Sequence, residues 1–384
     1  MKKDSIAEQN ADLTTRWRNV VKRRSFLRGI GLAGAAAVPG GRLFAQATAP
    51  LTAGDAALLR FAAWAETVET DLWSQYAELG GVDGGNPAYM AALQNIDMDM
   101  PQYVTDNTDD EISHAAFLNA YLVSRGAEPV NLDAFRTLPS SKATGAKQIG
   151  RLTNLMKLNV DTSWYTRYRS EQNPDLGATF TGPFPIVGQP AIPIDDADTP
   201  PKQDQPVPPA SPQQSRMQAI ANTASFHFAF IEQGGSSLYP TLAFKASDPE
   251  VLRVLVSIGG VEIDHFSLWH DKAGNAVSEP LAGVKDPQTG VTFPNLNNPP
   301  TELTQTNKVL PEPCQFINTS LPLCSVIRPT STQLGGAVAT VNAFTADLLL
   351  LGQSPAFFAF AMQLAVAADS VVRSLDPAPV RGFM

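Results

Sequence analysis

Two of the four histidines in this chain stand three residues after a glutamate, in Glu111-Ile-Ser-His114 and Glu262-Ile-Asp-His265. On a helix, positions i and i+3 share a face about one turn apart. Each pair can therefore present a carboxylate and an imidazole to one metal ion. A single glutamate precedes each pair, Glu66 before the first and Glu232 before the second. Each has an aromatic residue seven positions on, Trp73 and Tyr239. The order Glu, then Glu-x-x-His, thus occurs twice, as expected of a repeated helical hairpin. The intervals differ, 45 residues from Glu66 to Glu111 and 30 from Glu232 to Glu262, and loop length absorbs the difference. The pattern demands four helices around a shared centre: two offer one carboxylate each, and two offer a Glu–His pair.

The surrounding sequence supplies those helices. The first is expected over Asp55–Leu79, with Asp55 as N-cap, an apolar face of Leu58, Phe61, Ala62, Ala65, Leu72 and Tyr76, and Gly80-Gly81 as its stop. Glu66, Glu69 and Asp71 are all acidic candidates on it. Glu66 is preferred because its aromatic at i+7 matches that of Glu232, which leaves Glu69 one turn on. The second helix is expected over Pro101–Arg125, ending at Gly126. The third is expected over Ser215–Phe244. Gly234-Gly235 inside it costs about 1 kcal/mol per glycine, so close packing or a local distortion near the metal is expected there. Pro240 should kink or end the helix. The fourth starts at Asp248-Pro249-Glu250, with Asp248 as N-cap and proline in the first turn, and ends near Gly274. His227 and His270 lie five residues from Glu232 and His265 and share no face with them. Both are expected to serve packing or surface roles rather than to hold the metal.

Residues 111–130, EISHAAFLNAYLVSRGAEPV, resemble the second helix of a ferritin-like family that includes plant desiccation-related proteins and many exported bacterial proteins. The resemblance covers roughly residues 55–128 and 216–274. It implies an all-α, ferritin-like four-helix bundle holding two transition-metal ions, iron or manganese, on Glu66, Glu111, His114, Glu232, Glu262 and His265. By the same resemblance, Glu111 and Glu262 bridge the metals, Glu66 and Glu232 are terminal carboxylates, and each histidine holds one metal. Imidazole in the donor set favours iron or manganese over calcium.

Residues 1–47 read as an export leader rather than as fold. Lys22-Arg23-Arg24-Ser25-Phe26-Leu27-Arg28 is a twin-arginine motif, followed by a mildly apolar Gly/Ala run from Gly29 to Val38, then Arg42 and a small-x-small cleavage site at Ala45-Gln46-Ala47. The expected location is periplasmic or secreted, with the twin-arginine export machinery as a partner. The segment carries nine basic and three acidic residues, so its removal takes the net charge from −9 to −15. So acidic a chain is unsuited to nucleic acid or to an anionic membrane. No stretch after the leader reaches the length of a membrane span; the longest apolar run, Ala356–Ala368, is interrupted by Gln363.

The expected organisation is a leader over 1–47, bundle helices 1–2 over 48–128, a crossover insertion over 129–215, bundle helices 3–4 over 216–275, and a C-terminal extension over 276–384. A long connection between the second and third helices suits this topology, and added loop length raises closure entropy only slowly. Within it, Leu152–Arg169 should be ordered, and Pro174–Pro212 proline-rich and extended. Trp164, Tyr165, Arg167 and Arg169 are expected to pack on the bundle. The extension holds the only two cysteines, Cys314 and Cys324, whose disulfide is expected after export. Two apolar helices, Val341–Leu351 and Pro355–Leu375, should cover the bundle or form a subunit contact in a homo-oligomer. The metal site suggests redox chemistry with oxygen or peroxide. A non-catalytic stress or desiccation protein with a structural or vestigial metal site is the second reading. Iron storage suits the chain less, because the insertion and tail would encumber a cage.

Overall fold

The computed structural model describes residues 50–167, 184–198, 215–273, 276–301, 311, 313, 318–325 and 336–374. The leader and Cys314 lie outside the described residues, as do most of the proline-rich segment and the end of the tail.

Helix α1 spans Ala53–Gly80. Its N-cap is Thr52 rather than Asp55: the Thr52 hydroxyl accepts from the Asp55 amide. The Asp55 carboxylate reaches across the bundle instead, accepting from the Ser247 amide (2.9 Å) next to the start of the fourth bundle helix. A short helix absent from the sequence expectation, α2, follows over Pro87–Ile96, capped by Asn86 with Pro87 in its first turn. Helix α3 spans Met100–Ser124. The insertion then runs through a short helix, α4 (Trp164–Arg167), flanked by strands β1 (Leu158–Val160) and β2 (Ile186–Gln189), which pair antiparallel. Helix α5 covers Arg216–Ala243, capped by Ser215, and α6 covers Pro249–Lys272, capped by Asp248 as the sequence suggests. Helix α5 continues through Gly234-Gly235 and retains Pro240 within its last turn, ending three residues after it. The tail contributes α7 (Ala337–Ala346) and α8 (Pro355–Asp369), both ending earlier than their apolar runs.

Two helix pairs, α1 with α3 and α5 with α6, make the closest associations in the fold, and α2 fills in against α1, α3 and α5. The pairs are joined alike. Thr70, four residues after Glu66, donates to the Glu111 carbonyl (3.0 Å); Ser236, four after Glu232, donates to the Glu262 carbonyl (3.1 Å). The sequence repeat is thus also a repeat of interhelical bonds. Helices α7 and α8 cover α1, with Phe344 and Phe357 about the buried Trp64 at ring separations of 6.2 and 6.0 Å. Among the described residues no helix is long and apolar enough to cross a membrane.

The insertion is tied down through Asp71. This buried carboxylate accepts from the Leu152 amide (2.9 Å), the Thr153 amide (2.9 Å), the Thr153 hydroxyl (2.8 Å) and Arg136 (2.7 Å). Of the three acidic candidates on α1, it is the one committed to holding the crossover. Trp164 and Tyr165 pack on α5 and α6, and the Tyr165 ring stacks on His270 at 4.7 Å. His270 Nε2 lies 2.9 Å from the Tyr165 carbonyl, which gives His270 the packing role expected of it.

Candidate metal centre

Glu66 on α1, Glu111 and His114 on α3, Glu232 on α5, and Glu262 and His265 on α6 meet inside the bundle. The four glutamates are at most 1% exposed; His114 is 8% and His265 6% exposed. Their donor atoms fall into two groups, each lying within 4.8 Å of one another: Glu66, Glu111, His114 and Glu262, and Glu111, Glu232, Glu262 and His265. Glu111 and Glu262 belong to both. The helical period explains the convergence, since each Glu-x-x-His turns both side chains toward the facing pair.

Both imidazoles aim Nδ1 inward. His114 Nδ1 lies 3.2 Å from Glu111, 3.4 Å from Glu66 and 3.4 Å from Glu262. His265 Nδ1 lies 3.1 Å from Glu111 and 3.2 Å from Glu232, and its Nε2 lies 3.2 Å from Asp110, a half-exposed carboxylate. Asn107, one turn before Glu111, donates to Glu111 (2.8 Å) and to Glu232 (3.1 Å), and its carbonyl accepts from Trp269 Nε1 (2.6 Å). The Tyr239 hydroxyl donates to Glu66.

Gly235 makes room for this arrangement. A Cβ there would stand 2.2 Å from Glu262 Oε2, whereas one at Gly234 would meet nothing within 4 Å. Gly259 serves the same helix pair, since a Cβ there would stand 2.6 Å from the Cβ of Tyr239.

The charges are strongly coupled. Burial raises Glu66 to about 7, and the Glu111 charge adds to the rise. Burial, together with the Glu111 charge, pushes Glu262 far above the carboxylate range. Glu232 is raised by burial against the pull of His265. Burial opposes ionisation of Glu111 as well, but hydrogen bonds from His114 and His265 outweigh it and hold that carboxyl below its usual range. Burial disfavours charge on the two histidines; their carboxylate partners prevail and keep both protonated. Glu69 is buried and raised by burial and by the Glu262 charge, yet it belongs to neither donor group.

The donors suit divalent transition metals. Glu262 Oε2 is buried without a hydrogen-bond partner, and Glu66 Oε2 and Glu262 Oε1 have only the 3.4 Å approach of His114 Nδ1, a costly state for polar atoms. A cation between the two groups would satisfy them. Carboxylate oxygens joined by imidazole nitrogens form a set that iron, manganese and zinc accept.

Asn107 and Asp110 took no part in the sequence expectation of the site, which placed close packing or a local distortion at Gly234-Gly235 without separating the two glycines. Asn107 carries a faint signal, lying one turn before Glu111 on the same face. Nothing local distinguishes Gly235 from Gly234.

A helical bundle whose core holds two Glu-x-x-His pairs and two further glutamates defines a metal-binding class of four-helix proteins. The family model of the ferritin-like domain matches residues 54–275, and the chain belongs to that family. No curated protein and no solved structure matches it.

Proposed function

We propose that this chain is an exported protein that holds two transition-metal ions, iron or manganese, and uses them in redox chemistry with oxygen or peroxide. The observation that carries the reading is the sharing of Glu111 and Glu262 between two donor groups, each completed by one histidine and one further glutamate. Glu111 and Glu262 would bridge. Glu66 with His114, and Glu232 with His265, would complete the two ends. The metals would supply electron transfer to or from an oxidant.

The chain's own residues orient the donors. Asn107 fixes one oxygen each of Glu111 and Glu232, and Tyr239 fixes one of Glu66. Asp110 at His265 Nε2 favours a proton there and leaves Nδ1 to face inward. Four carboxylates balance two divalent ions. Binding must displace the protons on the two histidines and on the raised carboxyls. The twin-arginine motif at Arg23 and Arg24 supports export after folding, so metal would be loaded before transport. The likeness to plant desiccation-related proteins supports a role in stress.

A non-catalytic protein with a structural metal is the second reading. The depth of the site favours it, because Glu66, Glu111 and Glu262 are fully buried. Metal analysis of the purified protein should find up to two transition-metal ions per chain. Glu262→Ala should sharply reduce that number, and Glu69→Ala should reduce it little. A protein that takes up no transition metal under any loading condition defeats both readings. Metal without turnover of oxygen or peroxide selects the second.

A further inference from the structure

Tyr76 and His227 form a buried pair that the candidate metal centre does not use. Both are fully buried, with the Tyr76 hydroxyl 2.8 Å from His227 Nδ1. Burial pushes His227 down to about 3 and Tyr76 well above its ordinary value. At neutral pH the phenol therefore keeps its proton and stands within hydrogen-bond distance of a neutral imidazole. His227 Nε2 has no hydrogen-bond partner among the described residues, and with the ring proton there Nδ1 accepts from the phenol.

Aromatic contacts run from this pair back to the carboxylates. The Tyr76 ring lies 5.7 Å from Trp73, and Trp73 stacks on Trp269 at 5.4 Å with an interplanar angle of 18°. Phe228 touches all three, at 4.9 Å from Trp73, 4.6 Å from Trp269 and 4.7 Å from Tyr76. Trp269 donates to Asn107, which donates to Glu111 and Glu232. Packing alone does not require a base at the end of this run. Tyr89, also buried, gives its hydroxyl proton to the Ala191 carbonyl, which cannot accept a proton outright. His227 can.

We propose that Tyr76 and His227 form a proton-coupled redox pair that receives an oxidising equivalent from the metal centre through Trp269 and Trp73. The inference rests on the metal-binding reading above for its source of oxidant, of the class formed when a reduced transition metal meets peroxide. Trp269 would give one electron to that oxidant, and Trp73 would refill Trp269. Tyr76 then returns one electron to Trp73 and passes its hydroxyl proton to His227 Nδ1. The products are a neutral tyrosyl radical, an imidazolium, two restored indoles and an oxidant reduced by one electron. The proton moves along an existing hydrogen bond and needs no water. An equivalent that escapes the centre is thereby held at one buried site instead of attacking the core at random.

Two arms test this on the full chain. In metal-free protein, a laser flash that photoionises tryptophan should give an indole radical whose decay matches the rise of a tyrosyl radical. Tyr76→Phe should abolish that rise and prolong the indole radical, and His227→Gln should lose most of it. An unchanged tyrosyl yield in either variant overturns the proposal, as does a wild-type flash that yields no tyrosyl radical. Circular dichroism checks that each variant is folded; if one is not, the other decides. In iron(II)-loaded protein, freeze-quenching after peroxide should give a tyrosyl electron paramagnetic resonance signal that disappears in Tyr76→Phe. A positive flash arm with bound iron and no peroxide signal refutes the metal centre as the source, while a protein that takes up neither iron nor manganese refutes the metal reading itself. The two failures are therefore distinct.

Discussion

Replacing Gly235 with alanine separates the stability of helix α5 from the integrity of the candidate metal centre. Alanine is favoured over glycine within a helix by about 1 kcal/mol, and neither Gly234 nor Gly235 has a left-handed φ. At Gly234 a Cβ would meet nothing within 4 Å. Gly234→Ala should therefore stabilise the protein by about 0.5–1 kcal/mol, or about 1–2 °C in Tm for a chain of this size. At Gly235 the same Cβ would stand 2.2 Å from Glu262 Oε2. The obstructing atom is the tip of a flexible side chain, so the fold can yield by swinging the carboxylate aside. The gain in helix propensity offsets much of that strain, and Tm should move little. The displaced carboxylate is one of the two shared by both donor groups, however. Disturbing the support of a ligand weakens metal binding about 10–100-fold, and moving the ligand itself should cost at least as much. Titration of iron(II) or manganese(II) into the two variants, with thermal unfolding beside it, reads both effects. Equal metal affinity in Gly235→Ala and wild type would refute the placement of Glu262, whatever the melting temperatures.

The metal-free protein should lose stability as pH rises above 6.5. There His227 is neutral whether folded or not, while the fold still holds protons on Glu66, raised to about 7, and on His114 and His265, which the unfolded chain releases. Bound metal should reverse the slope, because it replaces those protons; parallel curves with and without metal in pH-dependent denaturant unfolding would contradict this. Asp71→Ala should cost about 3 kcal/mol by stranding two buried backbone amides, and should increase hydrogen exchange first around Leu152 and Thr153; uniform exchange would count against the anchoring role. Replacing Arg23 and Arg24 with lysine should leave uncleaved precursor in the cytoplasm, and normal processing of that double variant would remove the twin-arginine assignment. Non-reducing mass spectrometry of the mature protein should find Cys314 joined to Cys324, and two free thiols would exclude the bridge.

The repeated Glu-x-x-His carried most of the candidate site in the sequence. Helical period alone puts Glu111 with His114 and Glu262 with His265 on common faces, and the matched aromatics at i+7 distinguished Glu66 from Glu69 and Asp71. Capping chemistry likewise located the start of α6, where Asp248 holds a first-turn amide. These are local relations, set by a few consecutive residues and a fixed geometry. Other features depended on chain segments that meet only after folding. Asn86-Pro87 starts α2 within what reads as a connection, and that helix owes its place to burial against α1, α3 and α5. Thr52 displaced Asp55 as a cap because the Asp55 carboxylate is needed by the chain entering α6. Asp71 became an anchor because the amides of Leu152 and Thr153 arrive beside it. Gly235 and Gly234 are equivalent to any local rule; they differ only because α6 brings the Glu262 carboxylate against one of them. Helical periodicity could aim the ligands, but packing between distant helices decided which neighbours had to make room for them.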